Sequence, residues 1–425
     1  MQTSADEGGA AMTSRTGTVR VAASPAPPQR GVTWRRVLIV VLVVAAVFVG
    51  HIWYGNRHNF YDLRIYFGAI RSWAAGDSLY TFSHYDPIQG PLGFTYPPFA
   101  GLLMFPMAWT LLGVVIAVLL LANLAGIVVT TIWLLFPVAD RHGWPRWFVV
   151  ALAIPLTTTL EPIRETVTFG QINILLAVLV LGDLLFLVPR KSRFAGVAIG
   201  LATAIKLTPA IFIVYLLITR RWRAAMVASA TALAATLLAV AIVPRDSWRY
   251  WTVTLWETNR VGHLDRIPNQ SLWGGLLRIA APTQPSRFIW LAMIAVVAGY
   301  GLWRAARAAR AGDELTGLTI TGIVGALVSP VSWQHHLYWF APVLVILVDA
   351  IAARMPRRGW LIALAVTIWL TVTVSVISFF DYGLSYRVQD SVPGFLISNW
   401  YLLLMLLLVV VLPIRAYRPV TDRAG

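Results

Sequence analysis

The chain has no cysteine among its 425 residues, which excludes disulfides, thiolate catalysis and cysteine-ligated metals. It is also poor in charge. Only 12% of its residues are charged, against roughly 25% in a soluble domain. A further 58% are hydrophobic, and the mean hydropathy is +0.71. Such a composition leaves no room for a separate soluble domain and puts most of the length in a bilayer. Lysine is nearly missing, with only Lys191 and Lys206, and Lys206 stands inside an apolar run. There is no glycine-rich phosphate loop, no internal repeat and no paired acidic motif for a nucleotide-bound metal.

What is present is a series of apolar runs. Val37–Tyr54 is followed directly by Asn56-Arg57-His58 with no small-residue cleavage site, so it reads as a retained span and not a signal peptide. Ten more runs of about spanning length extend from Leu112–Phe136 to Leu396–Leu412. Phe99–Ala108 is too short to cross easily and is expected to lie along the outer surface or to dip into it. Phe194–Ile218 has basic residues at both ends, which fits a broken hairpin turning near Lys206-Leu207-Thr208-Pro209 better than one straight crossing. The expected fold is an all-α polytopic membrane protein with about 10–12 transmembrane helices and short outer-face loops. Residues 1–33, rich in Ala, Ser, Thr, Pro and Arg, read as a disordered cytoplasmic tail. Residues 34–415 form a single transmembrane domain, and 416–425 a second cytoplasmic tail.

The net charge of +16 does not point to nucleic acid, because the arginines sit in short loops between apolar runs. With both termini cytoplasmic, the inner loops hold 22 Arg and Lys and the longer outer segments hold 11, as the positive-inside rule requires. That orientation gathers the polar clusters on the outer face of the plasma membrane: 55–98, 161–171, 244–286, Ser332–His336 and 380–395.

Asp62 leads these clusters. It is flanked by Phe60, Tyr61, Tyr66 and Phe67, which shed water and raise a carboxyl toward the range of a useful base. The loop closes on the rigid turn Tyr96-Pro97-Pro98. The plainer reading is a loop aspartate paired with Arg57 or Arg64. In Ser329–His336, Pro330 and the nearby Pro342 imply a broken helix, which at membrane depth lines a cavity. No carboxylate or third histidine lies at ligand spacing, so His335 and His336 suit a phosphate better than a metal. Lys206 would cost about 3 kcal/mol or more in a membrane unless paired, and it suits an anionic head group. Glu161 either pairs with Arg164 or faces a sugar, and Gln171 and Asn173 suit sugar hydroxyls. The loop Arg245–Arg278 mixes Trp248, Trp251, Trp256 and Trp273 with Arg249, Arg260, Arg266, Asn269 and Gln270. Its tryptophans are interfacial anchors or platforms for sugar rings. Asp183 and Asp349, near cytoplasmic helix ends, need no role.

Six stretches in order resemble glycosyltransferase family 87, the polyprenyl-phosphate-mannose-dependent α-1,2-mannosyltransferases of actinobacteria. They are Asp62–Tyr66, Phe94–Pro98, Phe169–Asn173, Lys206–Ala210, Asp246–Trp251 and Ser329–His336. The resemblance implies the multispan GT-C fold and transfer of mannose, with inversion, to a 2-hydroxyl of a mannolipid. The acceptor would be a phosphatidylinositol mannoside or lipomannan/lipoarabinomannan. It also implies Asp62 as base, with His335, His336, Lys206 and Arg260 around the donor phosphate. Tyr66, Tyr96, Glu161, Gln171, Asn173, Gln270 and Trp333 would face the sugars. The implied partners are the donor lipid, the mannosylated acceptor and membrane lipids, with no metal or other cofactor. One base suffices because the phosphate leaves unaided, unlike the carboxylate pair of a glycosidase. The rival class is a lipid or sugar transporter or flippase, which shares the broken helices but calls for repeated halves and polar groups at the midplane. A polymer ligase using the same donor calls for a larger outer loop than 380–395.

Overall fold

The computed structural model describes residues 19–21, 31–87, 89–380 and 391–417. Most of the two expected tails and of the segment 380–395 lies outside them, although Val19–Val21 of the first tail is a short strand. The first helix, α1 (Trp34–Tyr54), is apolar on every side and has no buried residue, the character of a helix facing lipid. Asn59 and Phe60 then take left-handed φ values of 46° and 55°, uncommon for residues with a Cβ. They lead straight into α2 (Tyr61–Ala74), whose apolar face carries Leu63, Tyr66, Phe67 and Ile70. The Phe60 N–H donates to Thr168 O at 2.8 Å, stitching this strained joint to the corner behind it.

Next come α3 (Pro98–Met104), begun by proline at its first position, the long α4 (Leu112–His142) and α5 (Arg146–Thr159). A sharp corner follows. α6 (Glu161–Phe169) meets α7 (Asn173–Gly182), continued to Leu187, at 119°. The turn residue Gly170 has φ 74°, and a Cβ there would stand 2.6 Å from that of Leu63. Only glycine lets the corner close on α2.

α8 (Val197–Ile205) and α9 (Ile211–Ile218) are two short helices on either side of Lys206, and α10 (Trp222–Ile242) follows. A Cβ on Gly196 would meet Ala224, and one on Gly200 would meet Ala228 and Thr231. The contact advances in the same direction on both helices, so α8 and α10 run parallel. α9 must bring the chain back between them. Lys206 is therefore the tip of a hairpin, as the basic residues at both ends imply.

The segment that follows holds α11 (Pro244–Thr252) and α12 (Leu272–Ala280), the latter capped by Ser271 Oγ on Gly274 N. Then come α13 (Arg287–Arg310), α14 (Glu314–Val328), α15 (Phe340–Ala352), α16 (Arg358–Thr373), α17 (Val392–Ser398) and α18 (Trp400–Val411). Four three-residue strands complete the described residues. β1 (Val19–Val21) pairs in parallel with β4 (Arg415–Tyr417), and β2 (His84–Asp86) forms a hairpin with β3 (Gly90–Leu92).

Among the described residues, four helices are long and apolar enough to cross a membrane, or six with two bent pairs, and six shorter apolar helices pack among them. The protein is a multi-pass membrane protein. A count of ten to twelve crossings rests on those shorter helices.

One end of the bundle is tied by buried ions. Arg415 reaches Asp313 at 2.6 Å and Asp349 at 2.7 Å, and Asp349 also holds Arg141 and His142, each at 2.8 Å. Asp183 accepts the N–H groups of Gly196 and Ile199 at the start of α8. Asp183 and Asp349 thus do have a role, as buried acids joining helix ends. The polar cavity lies at the opposite end.

Candidate active site

The cavity has a volume of about 390 Å³. α2 supplies Asp62 and Tyr66, the turn before α3 supplies Tyr96, and the α6–α7 corner supplies Phe169 and Gln171. The hairpin tip gives Lys206 and Thr208, the segment from α11 to α12 Tyr250, Glu257 and Arg260, and the break between α14 and α15 Trp333, Gln334, His335 and His336. Six separate parts of the chain converge here.

On the acid side, Asp62 Oδ2 accepts from Gln171 Nε2 at 2.6 Å. The same amide nitrogen lies 3.1 Å from the Tyr66 hydroxyl, and Gln171 Oε1 accepts from the Tyr96 hydroxyl at 2.6 Å. Asn123 Nδ2 holds the Gln171 carbonyl at 3.0 Å. Asp62 therefore has an amide partner. Its arginine neighbours are engaged elsewhere: Arg64 bonds to Asn59, and Arg57 bonds to Tyr54 O. Burial pushes the Asp62 carboxyl up to about 6, against the pull of Gln171 and Lys206.

On the cationic side, Lys206 Nζ donates to Asn173 Oδ1 at 2.9 Å and lies 3.1 Å from His336 Nε2. It also stands over the Tyr96 ring, 5.3 Å from the centroid. Tyr96 thus joins the two sides, its hydroxyl on Gln171 and its ring face under the ammonium. Asn173 Nδ2 and Thr166 Oγ1 both donate to His335 O, which fixes the histidine segment against the corner. His335 Nε2 and His336 Nδ1 are buried without a protein partner, and buried polar atoms of this kind call for a ligand or water.

Of the residues singled out in the sequence, Asp62, Tyr66, Tyr96, Gln171, Lys206, Arg260, Trp333, His335 and His336 all line the cavity. Asn173 lies just beneath, on a smaller void of about 70 Å³ that continues past Thr208 and His336 between α7, α9 and α14. Glu161 and Gln270 are elsewhere. Glu161 is fully buried and accepts from Ser378 and Tyr401, and Arg164 turns to Thr159, Thr373 and Ser375 instead of pairing with it. Gln270, also fully buried, bridges Ile267 O, Ser398 O and Leu402 N. Both lie away from the cavity and join helices. Arg260 sits at the outer rim, 3.6 Å from Glu257 and bonded to Tyr80 O.

Sequence reasoning passed over Glu257, a second carboxylate on the cavity, although its place between Trp256 and Arg260 is a signal. It also passed over His58, which stacks on Phe169 at 3.7 Å and lies 3.3 Å from Glu165. Burial lowers the His58 imidazole to about 4 and leaves it neutral.

The model of Glycosyltransferase family 87 matches residues 94–330. A protein of Mycolicibacterium smegmatis, named a polyprenol-phosphate-mannose-dependent alpha-(1-2)-phosphatidylinositol mannoside mannosyltransferase, is 33% identical over 368 residues, 81% of this chain and 82% of its own. The chain belongs to glycosyltransferase family 87. A Mycobacterium tuberculosis protein of the same name is 34% identical over 74% of this chain and 77% of its own. A second protein of that species, named for a phosphatidylinositol pentamannoside acceptor, is 32% identical over 81% and 80%. No solved structure matches. As a family 87 member the protein is a glycosyltransferase with a GT-C membrane fold. The family match contains Gln171 and Lys206, whereas Asp62 precedes it and His335 and His336 follow it.

Proposed function

We propose that this glycosyltransferase moves mannose from polyprenyl-phosphate mannose to a 2-hydroxyl of a mannolipid, forming an α-1,2 linkage with inversion on the outer face of the plasma membrane. The acceptor is a phosphatidylinositol mannoside or lipomannan/lipoarabinomannan. The relatives' names support the donor and the phosphatidylinositol mannoside. The observation that carries the chemistry is one cavity holding a carboxylate and, across Tyr96, an ammonium beside a histidine.

Asp62 is the base. With its carboxyl raised to about 6 it is ionised at neutral pH yet close enough to that pH to take a proton well. The acceptor 2-hydroxyl oxygen attacks the anomeric carbon on the face opposite the phosphate, and its proton passes to Asp62. The anomeric C–O bond breaks with its electron pair going to the phosphate. Lys206 and the free nitrogens of His335 and His336 meet the leaving group. A fixed cation is worth most where water is excluded and charge is developing. The apolar void beneath His336 receives the start of the polyprenyl chain.

The test uses purified protein in lipid, a labelled mannosyl-phosphate-polyprenol and a phosphatidylinositol mannoside. Wild type should transfer mannose, and Asp62→Asn should lose at least about a hundredfold in rate with donor binding retained. Transfer that survives in the variant would remove Asp62 as base. Movement of the donor lipid across the bilayer without transfer would overturn the reaction.

A further inference from the structure

Beyond the cavity a second hollow, of about 400 Å³, opens between the β2–β3 hairpin and the loop after α11. Phe82 and Ser83 line one side, and Trp256, Glu257 and Arg260 the other. Gly93, Glu257 and Arg260 belong to both hollows, so the two share a wall. A Cβ on Gly93 would stand 2.6 Å from an Arg260 terminal nitrogen and 2.9 Å from Phe82 O. The wall is thus as thin as a backbone allows.

The side chains here have a definite chemistry. Trp256 is 72% exposed, yet its indole N–H donates to Trp251 O at 3.1 Å, which orients the ring. An exposed ring held in one orientation is a platform, whereas a loosely placed tryptophan only anchors to the interface. Arg260 and Glu257, 3.6 Å apart, offer a fork of donors beside acceptors and cancel in charge. A neutral polyol suits that pair, and an anion would meet the carboxylate. The cavity itself falls near the low end of the roughly 300–1,000 Å³ of ligand pockets. It has room for the two reacting sugars, so the remainder of an acceptor glycan must lie outside.

Building on the mannosyl-transfer reading, we propose that the outer hollow is a subsite for a neutral hexose of the acceptor glycan, at least one residue removed from the reacting hydroxyl. Trp256 stacks on its apolar face, and Glu257 and Arg260 bond its hydroxyls. The subsite lets the enzyme prefer acceptors that already carry several mannoses.

Transfer is compared between a mannolipid bearing three or more mannoses and an alkyl α-mannoside bearing one, using wild type, Trp256→Ala and Trp256→Phe. Trp256→Ala should raise the KM for the long acceptor about three- to tenfold, with kcat, the donor KM and the short acceptor unchanged. Trp256→Phe, which keeps a ring, should recover most of the loss. The same change for both acceptors, or none for either, would overturn the subsite. Saturation-transfer NMR with α-mannotriose and no donor separates this proposal from the reaction. Contact with the wild type that is lost in Trp256→Ala sustains the subsite even if no transfer occurs. Contact that is absent, or unchanged by the substitution, overturns it.

Discussion

Gln171 is held at both ends of its amide: Nε2 donates to Asp62 Oδ2 and Oε1 accepts from the Tyr96 hydroxyl, each at 2.6 Å. The tyrosine locks which end of the amide faces the acid, so Asp62 always meets a donor. A donor favours the ionised carboxylate and lowers its pKa. Gln171→Ala should therefore move the acid limb of the rate profile to higher pH and lower kcat by about tenfold, the worth of one hydrogen bond to a charged group. A pH profile that falls in height without moving would show that Gln171 only fills space.

In the wild type, burial carries Asp62 from the ordinary 3.8 to about 6. Below that value the proposed base is protonated, so kcat should drop about tenfold per unit of acidification. Stability runs the other way. A carboxyl whose folded pKa exceeds its unfolded value costs nothing below the unfolded value. The cost grows between the two and is complete above the folded value. Asp62→Asn should thus raise the thermal midpoint at pH 8 and leave it unchanged near pH 3.5. Equal midpoints at both pH values would mean that the acid is well solvated.

Glu161 provides the contrast. Its carboxyl is buried against Ser378 and Tyr401, away from the cavity. Glu161→Ala should cost about 2 kcal/mol or more, because the buried Tyr401 hydroxyl and the half-buried Ser378 hydroxyl lose their acceptor. Among molecules that stay folded, the acceptor KM should not change. A raised KM with a normal melting curve would return Glu161 to the sugar.

The absence of cysteine makes sidedness direct to measure. A single cysteine at Tyr85, 72% exposed on the β2–β3 hairpin, should react with an impermeant reagent applied from outside, and one at the exposed Arg193 only from the cytoplasm. The opposite pattern would invert the proposed orientation.

The parts of this site that could be read in the sequence are those that break a local rule. A lysine in an apolar run, histidines after a proline and an acid among aromatics each demand a reason, and Lys206, His336 and Asp62 meet in one cavity. Glu161 and Gln270 break the same rule for another reason. A buried polar group is equally content facing a substrate or another helix, and the helix partners, Tyr401 and Leu402, are more than a hundred residues away. Asp349 shows the same limit. It looks like a helix-end acid until Arg141, His142 and Arg415 come to it. The helices themselves were easy to read, because apolar length needs no partner to be recognised, whereas the α6–α7 corner depends on Gly170 meeting Leu63.

The turn at Lys206 also decides parity. If 194–218 is counted as one crossing, every later segment changes sides, and Asp62 and His336 fall in different compartments. Yet Lys206 touches His336, and Asn173 from the preceding helix accepts from Lys206 and donates to His335 O. A chain that goes halfway in and comes back adds no net crossing. The helices before and after the hairpin therefore keep one orientation, and Asp62 from the first part of the chain and His336 from the second line one cavity.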